Sequence, residues 1–237
     1  MSPTTAGVLL VLVAATVALT VLHRGARRAD AAERAQLFDE VVPLLADARL
    51  SGDPSRGYPV LTGRWEGRPV TVRALVDTLA LRKLPVLWVE VLVERPLEVA
   101  GTVNVLLRPQ GCEVFSPDAG FPHELPPPPG VPRPSRVSCA GADRAPAPAA
   151  LARALDPAAD LLADPVTKEL GIGRRGVRVV LRVAEGDQAS YRTTRRAVFD
   201  RTRADAAAVR RALDVLTAVG DAVGDRVPAG TSTRTVA

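Results

Sequence analysis

Residues 4–22 read TTAGVLLVLVAATVALTVL, and Arg24, Arg27 and Arg28 follow closely after them. As an α-helix rising about 1.5 Å per residue, this uncharged stretch reaches roughly 28 Å, which is close to the thickness of the hydrocarbon core of a bilayer. It predicts a transmembrane anchor over residues 1–23, whose partner is the lipid bilayer contacted through residues 4–22. The rest of the chain is then a separate, membrane-tethered part of the protein.

The charges on either side of the span predict its orientation. Only Met-Ser-Pro precedes it, whereas three arginines follow it. Basic residues near a span stay on the cytoplasmic side, so we expect the N-terminus outside and the C-terminal domain in the cytoplasm, at an inner or plasma membrane crossed once. A cleaved signal peptide is the alternative, but it normally has basic residues before a shorter apolar core.

Composition limits the classes of partner. Arginine is abundant, while Lys83 and Lys168 are the only lysines, a usage typical of a G+C-rich genome. Between Asp164 and Arg203 the sequence holds ten basic and five acidic residues. A basic surface beside a membrane attracts anionic headgroups. Nucleic acid is not expected, because single-strand binders interleave aromatic side chains and only Tyr191 and Phe199 occur in this stretch.

The region after the span predicts an α+β fold, with a mainly antiparallel sheet and a C-terminal amphipathic helix packed on it. A juxtamembrane helix is predicted within residues 24–52, with an apolar stripe over 30–50 that Pro43 interrupts. The α+β domain is predicted over residues 53–223, followed by a disordered tail over 224–237. Hydrophobic periodicity predicts strands over 58–65, 70–79, 86–93, 102–107, 136–139, 167–172 and 177–183, and helices over 149–162 and 204–223. Because the links between the first four strands are short, we expect an antiparallel meander, followed by an irregular, proline-punctuated loop over 109–135.

Sequence motifs for catalysis or cofactors are weak. Gly171, Gly173 and Gly176 match G-x-G-x-x-G, but a strand rather than a helix is predicted after them, so a β-turn explains the glycines better than a nucleotide site. The spacing of Cys112, His123 and Cys139 matches no zinc pattern. We therefore predict no catalytic residue, no metal site and no cofactor. The carboxylates Asp77, Glu90, Glu94 and Glu98 of the strand block are expected to face solvent.

Two pairs of basic residues are candidates for contact with anionic lipid or a protein partner. Arg82 and Lys83 lie in the polar link between two strong predicted strands, and Arg174 and Arg175 lie in the predicted hairpin turn. Guanidinium and ammonium groups are the side chains that hold phosphate and carboxylate groups. Turn chemistry explains the same residues without any ligand.

Several groups of residues together resemble an uncharacterised family of bacterial membrane proteins with one N-terminal span and one α+β domain. They are Gly57-Tyr58-Pro59, Gly63 with Gly67, Asp77-Thr78-Leu79, Arg82-Lys83-Leu84-Pro85 with Trp88, Lys168-Glu169-Leu170 and Gly176-Val177-Arg178. The similarity covers about residues 55–222. It implies a bacterial membrane location and carries no activity or site residue.

The leading hypothesis is a non-enzymatic interaction module that holds a partner protein or anionic lipid at the cytoplasmic face of the membrane. One alternative is an enzyme acting on a membrane-associated substrate through carboxylates or arginines. A pocket lined by Asp77, Glu90 or Arg82 would favour that alternative. Another is an extracytoplasmic anchored domain, in which Cys112 and Cys139 could form a disulfide.

Overall fold

The computed structural model describes residues 3–77, 84–111, 113, 115–141, 145–194, 197–199 and 202–224. Helix α1, Pro3–Ala35, is continuous, and its described side chains before Asp30 are exposed. Within Leu9–Ala35 an 18-residue stretch has a mean hydropathy of 1.9, so this helix is long and apolar enough to cross a membrane. These properties suggest membrane anchoring, although an N-terminal signal sequence shares them.

A nine-stranded sheet follows α1, and every strand pair in it is antiparallel. Its strands are β1 (Ala46–Ser51), β2 (Val60–Trp65), β3 (Arg68–Asp77), β4 (Val86–Glu94), β5 (Val103–Leu107), β6 (His123–Leu125), β7 (Ser135–Cys139), β8 (Thr167–Gly173) and β9 (Gly176–Glu185). Their spatial order is β1-β2-β3-β4-β9-β8-β5-β7-β6. The predicted α+β class is confirmed.

The two faces of the sheet differ in chemistry. Alternate residues of the central strands, such as Val89, Val91 and Val179, are buried on one face, as expected for side chains that point to opposite sides of a strand. Glu90 and Arg178 belong to the other alternation and lie on the opposite face. We refer to these as the apolar face and the polar face.

Helices and the segment 36–45 cover the apolar face. The covering helices are α2 (Pro148–Leu155), α3 (Ala159–Ala163) and α5 (Ala206–Gly224), and a further helix, α4 (Gln188–Thr194), follows β9. Helix α5 contacts β4 and β9, and its apolar stripe, including Val209, Leu213 and Leu216, is buried. This is the predicted packing of the C-terminal helix on the sheet. Within the helix predicted over 149–162, a short 3-10 turn, Asp156–Ala158, separates α2 from α3.

The structure corrects two predictions about the chain path. The helix predicted over residues 30–50 ends at Ala35, and Ala46–Ser51 forms the edge strand β1. Pro43 lies in a single 3-10 turn, Val42–Leu44, because proline cannot continue an α-helix. The predicted meander holds for β2 to β4 only, and β1 extends it at the edge. The hairpin β8–β9 is inserted beside β4, and β5 lies beyond it.

Candidate functional site

The base of α1, meaning its last turn and the segment directly after it, contributes side chains to the core. Leu37, Phe38 and Val41 are each 0% exposed, so the apolar stripe predicted after the span packs on its own domain. The carbonyl oxygen of Leu37 accepts a hydrogen bond of 2.8 Å from the backbone nitrogen of Ala204. On the other side, Arg34 Nη1 donates to the carbonyl oxygen of Pro54 at 3.0 Å. The anchor is therefore joined to the domain by buried contacts.

The path of helix α5 shows at which end of the sheet α1 is attached. Ala204 and Val209, before and at its beginning, lie beside Val89 and Leu181. Near its end, a Cβ atom placed on Gly220 would lie 3.8 Å from Val177. The anchor end is the end of the domain at which α1 attaches. It is formed by residues 36–37, 53–58 and 202–205 together with the nearby strand ends. The opposite end, near the β8–β9 turn, is the far end, about 28 Å away by the length of α5.

A cleft of about 240 Å³ lies at the anchor end beside the first turn of α5. Arg203 and Arg211 line it. Arg203 Nη2 donates to Gln36 Oε1 at 3.2 Å, and Arg211 Nη2 lies 3.4 Å from Asp164 Oδ2. Asp205 caps α5, since its Oδ1 accepts from the backbone nitrogen of Ala207 at 2.7 Å. These exposed arginines are held by few partners and remain accessible.

The first pair of predicted contact residues, Arg82 and Lys83, lies outside the described residues. Asp77 and Leu84 flank them, and Asp77 is paired with Val86 at the anchor-end termini of β3 and β4. Val76, beside Asp77, is one of the exposed large apolar side chains of the domain. The described neighbours of this pair thus lie at the anchor end.

The second pair, Arg174 and Arg175, forms the two-residue turn between β8 and β9, with Gly173 opposite Gly176. Both arginines are exposed and lie at the far end. Arg175 Nη2 lies 2.7 Å from Glu94 Oε1. Arg174 Nε donates to the carbonyl oxygen of Val99 at 3.4 Å. The structure does not bring this pair together with the base of α1.

The turn also explains the glycine motif. Gly176 has φ +148° and a Cβ atom there would collide with the carbonyl oxygen of Val93. A Cβ on Gly171 would lie 2.9 Å from Arg178 Nε. Gly171 and Gly176 thus allow close packing with β9 and β4 beside the predicted turn, and β9 rather than a helix follows them.

A buried ionic network, which the sequence does not reveal, lies on the polar face. Glu90, 5% exposed, accepts from Arg73 Nε at 2.8 Å and from Arg178 Nη1 at 3.1 Å. Arg178 also pairs with Glu169, which is 0% exposed. The expectation that Glu90 faces solvent is therefore wrong, because the segment after β5 covers this part of the sheet. The sequence feature that points to this network is the presence of charged residues at alternate positions of otherwise apolar strands.

The segment 108–122 forms that cover. Asn104 Nδ2 donates to Ser116 Oγ at 3.3 Å, and Ser138 bonds to Asp118. Asp118 Oδ2 also lies 3.1 Å from Arg136 Nη1. The loop predicted over 109–135 is accordingly ordered where described, with a 3-10 turn at Pro117–Gly120 and the short strand β6.

Burial and ion pairing move two carboxyl pKa values in opposite directions. Burial raises the pKa of Glu169, and the opposing charge of Arg178 only partly offsets it. Burial also acts to raise the pKa of Glu113, but the hydrogen bond from Lys168 and that from the Gln110 backbone outweigh it, so this pKa is lowered. Lys168 and Glu113 form a nearly buried ion pair of 2.8 Å.

Lys168 and Glu113 line a second cleft of about 240 Å³, together with Asp77 and Trp88. The pocket that the enzymatic alternative requires at Asp77 is thus present. However, Lys168 Nζ also donates to the carbonyl oxygen of Arg108 at 2.7 Å. Lys168 Nζ is thus held between two acceptors, Glu113 and the carbonyl oxygen of Arg108, in a structural contact.

Groups that could supply nucleophilic or metal chemistry are dispersed where the structure describes them. Cys139 is a buried free thiol whose Sγ lies 3.4 Å from the Gly141 carbonyl oxygen. Cys112 lies outside the described residues. Over the described ranges, no group of three His, Cys, Asp or Glu side chains is placed to hold a metal ion.

Known proteins show little similarity to this chain. No protein-family model and no curated protein matches it. A solved structure, the mycobacterial trehalose monomycolate transport factor A, TtfA, matches with a TM-score of 0.39 and 12% identity over 75% of this chain and 74% of that chain.

Proposed function

We propose that this protein is a single-pass membrane protein whose α+β domain is a non-enzymatic interaction module, with its anchor end facing anionic lipid at the cytoplasmic leaflet. The observation that carries the proposal is the attachment of α1 through buried residues, because it fixes which end of the domain is nearest the span. Leu37 and the Ala204 contact belong to that attachment.

The distance between span and domain supports contact with headgroups. The helix between residues 22 and 30 rises about 12 Å, and the headgroup layer is roughly 5 to 7 Å thick on each side. Side chains near Asp30, the first partly buried position of α1, therefore start close to the layer. Arginine side chains extend far enough to close the remaining gap.

The chemistry of the anchor end supports the same partner. Arg203 and Arg211 line its cleft, and Val76 and Val198 expose large apolar side chains there. Basic and apolar groups side by side are typical of surfaces that lie on anionic membranes. Leu50, also exposed, is the last residue but one of the edge strand β1 and lies close to residues 53–58.

Hydrogen exchange of the full chain in nanodiscs tests the proposal. We expect residues 53–58 and 197–205 to exchange more slowly when phosphatidylglycerol is added to phosphatidylcholine, and the difference to disappear at high salt because surface charges are then screened. The turn at residues 173–176 is the internal control and should not change. Equal exchange at the anchor end in both lipid mixtures would refute the lipid contact.

The enzymatic alternative rests on the cleft that contains Asp77, Trp88 and Lys168. The ion pair of Lys168 with Glu113 and the ion-paired burial of Glu90 favour a structural role for these groups. We therefore keep the interaction module as the proposal. Asp77→Asn tests the choice between enzyme and interaction module. If the protein is an enzyme, this variant should lose the function of the protein in cells while membrane insertion and Tm stay unchanged.

A further inference from the structure

An apolar cavity of about 290 Å³ lies at the far end, between the sheet, α2 and the end of α5. Its described lining is uncharged and contains no aromatic ring, and includes Val99, Val103, Ala150, Leu151, Ala154 and Ile172. Small side chains at Ala150 and Ala154 leave the space open. A mainly apolar lining of this kind favours the apolar part of a ligand.

The residue at the mouth of this cavity is cationic. Arg174 donates to the carbonyl oxygen of Val99, a residue of the lining. Its guanidinium is exposed, and within the described parts of the chain it forms no ion pair. Arg175, next to it, is neutralised by Glu94 at 2.7 Å. Arg174 is therefore available for an anion.

Among the described residues, the other charged side chains around the mouth are paired or exposed. Arg95 pairs with Asp221 and lies against the last turn of α5, so a cation covers that helix C-terminus. Glu98 is exposed and directed to solvent. A ligand that fits this site therefore has a negative group beside Arg174 and an aliphatic group inside the cavity.

We propose that this cavity binds the aliphatic chain of a single-chain anionic amphiphile, a fatty acid being the simplest, with its carboxylate on Arg174. An aromatic ligand fits less well, because the described lining offers no ring for stacking. A fully polar ligand would leave its own groups unpaired in the cavity. The site is separate from the anchor end, so it depends neither on the membrane orientation nor on the lipid contact proposed above.

Photolabelling of the full chain in nanodiscs tests the site. The probe is dodecanoic acid with a diazirine at the end of its chain. We expect the label on the peptide that contains α2, with displacement by unlabelled dodecanoate and weaker displacement by dodecanol, which lacks the charge. Labelling confined to α1, or equal displacement by the acid and the alcohol, would overturn the proposal.

Two variants and one matched control separate the two halves of the site. Arg174→Gln should weaken dodecanoate competition roughly three- to tenfold, the size expected for one partly solvated ion pair, and should leave dodecanol unchanged. Arg175→Gln, at the neighbouring turn position, should change neither. Ala150→Leu should reduce labelling by filling the cavity. If Ala150→Leu does not fold, the proposal is tested by comparing dodecanoate competition in the two arginine variants. An equal effect of Arg174→Gln and Arg175→Gln would contradict the site.

Discussion

Arg178 Nη1 donates to Glu90 Oε2 at 3.1 Å, joining two central strands across the polar face. The same guanidinium pairs with Glu169, so Arg178 and Arg73 together face two buried carboxylates. Removing one partner of a buried pair costs about 3–5 kcal/mol, because the other charge remains in a medium of low polarity. The network therefore ties β4, β8 and β9 together.

Replacing Arg178 should destabilise the domain strongly. Arg178→Met leaves Glu169 without its cation, and at about 3 kcal/mol the Tm should fall by about 6 to 12 °C. The measurement is circular dichroism during heating of the full chain in nanodiscs. Arg182→Met is the matched control on the same strand, since Arg182 pairs with Glu185 on the surface, and it should lower the Tm by no more than about 4 °C. Equal losses would contradict the network.

The pH dependence of stability should carry the signature of Glu169. Its pKa in the folded protein lies above the usual 4.5. Between pH 4.5 and the folded pKa, the folded state therefore holds a proton that the unfolded state has lost. Stability from this group is complete below pH 4.5 and declines as pH rises through the folded pKa. The Tm of the parent chain relative to Glu169→Gln should therefore fall with rising pH over that window.

Glu113 gives the opposite sign and serves as the comparison. Because its pKa is lowered below the usual 4.5, its contribution is complete above that value and is lost as pH falls through the folded pKa. The Tm of the parent chain relative to Glu113→Gln should rise with pH in the acidic range. A pair of profiles with the same sign would show that the two environments are assigned wrongly.

The hairpin turn should tolerate no side chain at Gly176. Gly176→Ala places a Cβ against the Val93 carbonyl oxygen, and we expect a loss of about 3 kcal/mol, or a Tm lower by about 6 to 12 °C. Gly67 also has a positive φ, +78°, but apart from its chain neighbours no atom lies within 4 Å of the position that a Cβ would occupy. Gly67→Ala should cost only about 1 kcal/mol, the backbone term alone. Similar losses in both variants would argue against the close contact.

Arg82 and Lys83 remain predicted contacts of anionic lipid. We expect Arg82→Ala with Lys83→Ala to reduce the phosphatidylglycerol-dependent slowing of exchange at the anchor end. Arg49→Ala with Arg64→Ala removes the same charge from the strands β1 and β2 and is the control. If both double variants leave the lipid effect intact, these two residues do not contribute to it.

The sequence predicts the elements better than their arrangement. Strand periodicity locates β2, β3, β4, β8 and β9 closely, because an apolar pattern such as that of Val70, Val72 and Val91 is local. The insertion of β8 and β9 between β4 and β5 depends on pairing between distant residues. Periodicity contains no information about such pairing, which is why the predicted meander extends one strand too far.

The polar face shows the same limit for the candidate site. Glu90 carries a charge inside an apolar strand, and a solvent-facing carboxylate gives the same alternation as a buried, paired one. Only the fold places Arg178 and Glu169 beside it and brings the loop containing Ser116 across them. The apolar cavity beside Arg174 is equally invisible in sequence, since Val99, Ala150 and Ile172 come from three distant segments.

The most direct test of the central claim is a protease-protection measurement on the full chain with an epitope tag after Ala237, combined with carbonate extraction and the mass of the mature chain. We predict an uncleaved chain that stays in carbonate-washed membranes, with the tag digested only after the membrane is opened. A mature chain lacking its first two dozen or so residues, release into carbonate, or digestion of the tag in intact cells would contradict the account.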